Sequence, residues 1–297
     1  MLKSKVMKKI ILSVSVALLA ITMIAACSKK GAEVDLSTPK LSTINGSAGL
    51  PDYYNVGLVH NLGLQHLIET NDLNNTSTNS ELLSSFMLRT FEFLDGTDLY
   101  HSSPCGGDEL QTSTHLSYAL NNGFYGDANA TFTWALNLLG NQIGSIDLGY
   151  INSARLMMSS AEHLPVKDRA SFVSKEIIIL INKYNAETST QLEPTLTLGF
   201  LHTLLHSNAF WAARTNVNGG LNDFEITDPN NPSAPPIVLV PMVGPMTIAQ
   251  VDAAGYLYGW TQAWAVDQLP NPECRIAAGK RMAMQWSAVA IARAILG

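Results

Sequence analysis

Charge is scarce in this chain of 297 residues: Asp, Glu, Lys and Arg together make up 14%, against 46% hydrophobic residues. Beyond residue 26 there is nonetheless no run of 18 apolar residues, the length at which a stretch reads as membrane-spanning. The apolar content is therefore expected in a large buried interior. Signature motifs are missing as well. Without Gly-x-Ser-x-Gly, Gly-x-Gly-x-x-Gly, a P-loop or His-Glu-x-x-His, the chain lacks the patterns that build an elbow nucleophile, a phosphate cradle or a two-histidine zinc helix. Cysteine numbers three and Cys-x-x-Cys is absent, which removes thioredoxin-like redox work and structural zinc on thiolates. Basic residues are the minority, 18 against 24 acidic ones, so nucleic acid is a poor partner.

What is present begins with an address. Lys3, Lys5, Lys8 and Lys9 precede an apolar stretch from Ile10 to Ile24, and Ala25 and Ala26 then lead into Cys27. The stretch is shorter than the roughly 20 residues of a spanning helix, and a basic start, an apolar middle and small residues at a cut form the export pattern. With Cys27 at the cut it resembles the lipobox of bacterial lipoproteins. That resemblance implies cleavage before Cys27 by signal peptidase II, diacylation of the Cys27 thiol, and attachment of the mature chain to a lipid bilayer. Several acyl chains anchor stably where one does not. Ser28, in place of Asp after the lipidated Cys27, resembles the signal for transfer to the outer membrane; the side of that membrane stays open. Removing residues 1–26 takes four lysines and no acid, leaving 14 basic against 24 acidic side chains and a net charge of −10. Export also places Cys105 and Cys274 in an oxidising compartment, where a disulfide between them is allowed.

Residues 28–51 carry Ser, Thr, Gly, Pro and Lys without periodicity and read as an extended tether. Apolar spacing then predicts helices over about 53–70, 80–95, 108–122, 128–143, 147–163, 165–184, 194–214, 247–266 and 271–295. Pro165 suits a first helical turn, Thr247 and Gln250 make a capping box, and Asn271 with Pro272 forms a cap and first helical position. The 194–214 segment is apolar nearly all round, as a helix at the centre of a bundle should be. Residues 215–246 hold Gly and Asn early and prolines throughout. A break of that length is a functional flap or an irregular arm, and Pro236 and Pro241 confine any strand over 237–240 to an edge. The expected architecture is a lipoprotein signal peptide at 1–26, a lipidated flexible tether at 27–51 and an all-helical domain at 52–297. That domain is a single all-α multi-helix bundle of about eight helices, with the long Pro/Asn-rich loop before a C-terminal helical hairpin.

The last two predicted helices share a spacing. Gly255, Gly259 and Ala263 lie four apart on one, and Gly279, Ala283 and Ser287 on the other, giving flat ridges along which two backbones approach closely. Asp252, Asp267, Lys280, Arg281 and Arg293 interrupt both segments, so a hairpin inside a bundle is favoured over one inserted in lipid. Trp260, Trp264, Trp286, Tyr256 and Tyr258 share these helices, and their helical spacing makes most of them core. The segments YNVGLVHNLGLQHLIE, TLTLGFLHTLLHSNAFWAA and VDAAGYLYGWTQA resemble, in that order, a set of uncharacterised lipoproteins from Bacteroidota. The shared features are His60-Asn61 with Gly63-Leu64, Phe210-Trp211, and Asp252 to Gly255. This resemblance implies an all-α fold and an exported location, and supplies no reaction.

Histidine is the remaining source of chemistry. His202 and His206, four apart on the apolar helix, share one face at a spacing that can hold a transition metal through two imidazoles. His66 and Glu69, a His-x-x-Glu on the first helix, are the nearest further ligands in type. Core packing, with hydroxyls such as Thr203 and Ser207 nearby, competes with that reading. Gly63 to Glu69 also resembles the Gly-x-His-x-x-Glu motif of imelysin-type periplasmic metalloproteins, but with one extra residue, so no role is carried over. His60-Asn61 reads as a polar pair at a helix-helix seam. The leading expectation is a non-enzymatic envelope module without a resident cofactor, binding an envelope protein, peptide or glycan through the 215–246 arm. The alternative is a metal-dependent envelope enzyme or metal carrier using His66, Glu69, His202 and His206.

Overall fold

The computed structural model describes residues 52–70, 90, 117–119, 121–123, 127–140, 143–187, 194–214, 225–226, 237–238 and 245–296. The segment expected to be a signal peptide, Cys27, the expected tether, Cys105 and the expected 80–95 helix apart from Thr90 lie outside them. Helix α1 spans Asp52–Thr70, α2 Ala128–Leu139, α3 Ser145–Ala161, α4 Val166–Ala186 and α5 Pro194–Ala213. A two-residue antiparallel ladder follows, β1 Glu225–Ile226 against β2 Ile237–Val238, with Glu225 opposite Val238 and Ile226 opposite Ile237. Helix α6 covers Pro245–Thr261, continues as one wider turn over Gln262–Val266, and is followed by α7, Pro272–Leu296. The all-α multi-helix fold expected from apolar spacing is the observed one.

Local chemistry explains the helix ends. Asp127 caps α2 by accepting from the Ala130 amide at 3.0 Å, and Asn271 caps α7 by accepting from the Glu273 amide at 2.9 Å, as cap residues do. Pro165 sits one residue before α4, extended at ψ 140°. Helix α6 begins at Pro245, two residues ahead of the expected Thr247 cap, because proline is preorganised for a first helical turn. Of the conceivable strand over 237–240, Ile237–Val238 is extended in the ladder, and Leu239 and Val240 lie outside the described residues.

Helix α5 is the axis. Every residue from Thr195 to Leu204 is buried, as are Ser207, Asn208, Phe210 and Trp211, and α1, α3, α4, α6 and α7 all pack on it. Its apolar side chains join Val56 of α1, Phe132 of α2, Ile151 of α3, Ile177 of α4 and Trp260 of α6 in one core. Among the described residues the hairpin α6–α7 is the most extensive helix-helix contact. A Cβ on Gly255 would lie 2.6 Å from the Met282 carbonyl oxygen and 2.8 Å from Trp286 Cβ, and one on Gly259 would run into the Ala278 carbonyl. As the position climbs on α6 it descends on α7, so the two run antiparallel in near backbone contact. Gly279 instead makes room for the Tyr256 ring, 2.5 Å from where its Cβ would stand, and Gly199 of α5 makes room for the Tyr256 hydroxyl end. Tyr256 is thus clamped between two glycines and donates to the Thr195 carbonyl at 2.6 Å. Among the described residues no helix is long and apolar enough to cross a membrane. Cys274, in the first turn of α7, is disulfide-bonded; its partner lies outside the described residues.

Candidate functional site

Helices α1 and α5 meet where α1 has no side chain. A Cβ on Gly57 would stand 2.5 Å from the His202 carbonyl oxygen and 2.5 Å from His206 Cδ2, so the α1 backbone lies directly on the His202–His206 face. One turn on, Asn61 Nδ2 donates to the His206 carbonyl at 3.0 Å. Two turns on, Arg214 at the end of α5 donates to Gln65. Contacts advance together along both helices, which makes them parallel.

This seam places His60 inward, and around it four helices contribute one polar cluster in which His60, Asp252, Ser207, Ser287 and Trp211 all have zero exposure. His60 Nε2 of α1 is 2.8 Å from Ser287 Oγ of α7. The Ser287 hydroxyl is 2.5 Å from Asp252 Oδ1 of α6 and 2.9 Å from the Ala283 carbonyl; with one hydroxyl hydrogen to donate to either of these oxygens, it accepts from His60. Asp252 Oδ2 accepts from Ser207 of α5 at 2.5 Å and from the Trp211 indole at 3.4 Å, and lies 3.5 Å from His60 Nε2. Burial pulls the His60 imidazole below its ordinary range, with Asp252 and Asn61 opposing. Burial likewise pushes the Asp252 carboxyl up, with His60 and the Ser207, Ser287 and Trp211 donors opposing. Neither group is stable in the core as an isolated charge; each is accommodated because the other is there.

The residue types are those of a hydrolytic triad, but the arrangement is not. In a triad the histidine uses one ring nitrogen for the serine and the other for the carboxylate. Here Nε2 faces both Ser287 and Asp252, while Nδ1 faces Asn61 Oδ1 at 3.4 Å. Among the described residues, the imidazole, the two hydroxyls and the carboxylate are bonded to one another and join four helices.

The expected metal ligands divide. His202 and His206 do share a face, with ring centroids 6.1 Å apart and planes 26° from parallel. Burial and then His206 lower the His202 pKa to about 4, and burial and then His60 lower that of His206. His66 lies five residues beyond Asn61, about 7.5 Å farther along α1 at the helical rise, and the Glu69 side chain is outside the described residues. Among the described residues no three His, Cys, Asp or Glu side chains are grouped to hold a metal ion. Thr203 donates to the Gly199 carbonyl at 2.8 Å and Ser207 to Asp252, so these hydroxyls serve groups other than the imidazoles. The His60-Asn61 pair does lie at a helix seam.

Two buried carboxylates escaped the sequence reading. Asp252 was visible as a lone charge in an otherwise apolar helix, which is itself a signal for a paired core carboxylate. Asp147 of α3, also at zero exposure, accepts from Tyr184 of α4 at 2.7 Å and from Thr197 of α5 at 2.6 Å. Nothing in its local sequence marks it. Comparison with protein families, characterised proteins and solved structures finds no match to this chain.

Proposed function

We propose that this is a lipid-anchored, non-enzymatic module of the cell envelope, held by acylated Cys27 and binding a protein, peptide or glycan through the 215–246 arm. The observation that carries the non-enzymatic part is the consumption of His60, Asp252, Ser207 and Ser287 in a sealed knot between helices. Proton transfer or nucleophilic attack requires such groups within reach of a substrate, and each of these has zero exposure. The anchoring part rests on the basic, apolar and small-residue run that ends at Cys27. The arm is the long connection between α5 and α6, and long connections carry binding residues where packed helices carry stability. Photo-crosslinking amino acids placed singly along 215–246 in cells should give a discrete adduct, while the same probe on the exposed face of α4, for example at Ile178, should give none. Adducts of equal yield from both places would overturn the assignment of the arm. Acyl labelling that persists in Cys27→Ala would overturn the anchor.

A further inference from the structure

The knot around Asp252 has a proton count that can be worked out. A carboxylate or an imidazolium alone in a sealed core carries a large desolvation cost. One proton held by the pair makes the site neutral whichever residue carries it, and the apparent titration then belongs to the pair. The hydrogen-bond route for that proton is continuous: His60 Nε2 to Ser287 Oγ at 2.8 Å and Ser287 Oγ to Asp252 Oδ1 at 2.5 Å. Among the described residues the other groups facing the pair are His206 from α5, which acts on it as a neighbouring imidazole, Ser207 and Trp211 from the same helix, the neutral amide of Asn61 from α1 and the neutral Ser287 from α7. Helix α1 enters the knot through His60, in the same turn in which Gly57 and Asn61 seat it on α5. It is also the first helix after the 27–51 segment.

We infer that the His60–Ser287–Asp252 chain is a one-proton latch that docks α1 onto α5, α6 and α7, tight in mildly acidic solution and progressively released as pH rises above neutrality. The sign follows from counting protons in the closed and open states. The closed pair holds one. With ordinary values of 6.5 for His and 3.8 for Asp, the open pair holds one between those limits, so opening there is pH-independent as far as this pair is concerned. Above 6.5 the open pair holds none, and opening releases a proton. The opening constant of α1 then rises up to tenfold per pH unit. Buried histidines whose pKa is lowered, as in His202 and His206, behave in the opposite sense: they favour opening as pH falls below 6.5 and are silent above it.

The test is hydrogen exchange of the mature domain between pH 7 and 8.5, corrected for intrinsic exchange, read separately on α1 and α4. The expected result is an α1 opening constant that increases up to tenfold per pH unit, with no such slope on α4. Asp252→Asn, which leaves His60 neutral in both states at these pH values, should abolish the slope. If that variant does not fold, the double variant His60→Gln with Asp252→Asn removes both ionisable groups and must show the same loss. An α1 opening constant independent of pH in the unmodified domain, a slope that survives these substitutions, or an equal slope on α4 would each overturn the latch.

Discussion

The α3–α4 hairpin is amphipathic and the α6–α7 hairpin is buried on nearly every face, yet each hides one carboxylate at zero exposure, Asp147 and Asp252. Helix α5 serves both, offering Thr197 to the first and Ser207 with Trp211 to the second. Among the described residues, the difference lies in the imidazole that Asp252 also meets. Asp147 is held by the hydroxyls of Tyr184 and Thr197, and one face of its hairpin remains open: Leu156 is 69% exposed and Gly149 has nothing within 4 Å of where a Cβ would stand. Asp252 has three donors and His60, and its hairpin is packed to backbone contact. The comparison teaches that burial depth alone does not set the role of a buried acid. A carboxylate held by hydroxyls is a structural clasp, whereas one that also meets an imidazole is a clasp with a proton in it.

The largest way to break the comparison is truncation of the two acids. Asp252→Ala leaves Ser207 and Trp211 without their acceptor and His60 without its charge partner, and should cost about 3–5 kcal/mol, the usual loss when one partner of a buried pair is removed. Asp147→Ala strands two hydroxyls and should cost about 1–3 kcal/mol. Urea unfolding of both variants gives the ratio, and equal losses would mean that His60 adds nothing to the knot.

Packing offers the next contrast. Gly259→Leu would push side-chain carbons into the Ala278 carbonyl, and overpacking of that kind costs about 1–3 kcal/mol or more, read as a fall in melting temperature. On the same hairpin Gln285 is fully buried with neither amide atom hydrogen-bonded among the described residues. Gln285→Met, similar in length and free of unsatisfied groups, should stabilise the domain by about 1 kcal/mol. The smallest effect belongs to the open hairpin: Gly149→Ala meets no neighbour and should raise stability by about 0.5–1 kcal/mol, the ordinary penalty of a mid-helix glycine recovered. A destabilised Gly149→Ala would show that this face of α3 is covered.

These contrasts track what could be read from the residues alone. The helices were legible because Val173, Ile177, Ile181 and Tyr184 recur at helical spacing on α4, and because α5 is apolar on all sides, which only a central helix tolerates. The α6–α7 ridge was legible because glycines four apart have no other use in a helix interior. One detail of that hairpin was not: Gln262, which lies off the ridge in sequence, is 3% exposed, because every residue from Val251 to Ala263 is buried and no face of this segment is open. The knot was legible only in fragments. His60-Asn61 announced a polar seam and Asp252 an isolated charge, but they are 192 residues apart, and spacing along the chain says nothing about which polar fragments face each other across a bundle. Asp147 was illegible for the same reason, since its partners Tyr184 and Thr197 lie on two later helices.

The central claim is that His60 and Asp252 stabilise the domain through each other and not as independent core residues. A double-mutant cycle measures this directly: urea unfolding at pH 6 of the unmodified protein, His60→Gln, Asp252→Asn and the double variant. Residues in one buried network couple by about 0.5–3 kcal/mol, and the account predicts a coupling of at least about 1 kcal/mol. Additivity of the two substitutions within about 0.3 kcal/mol would contradict it.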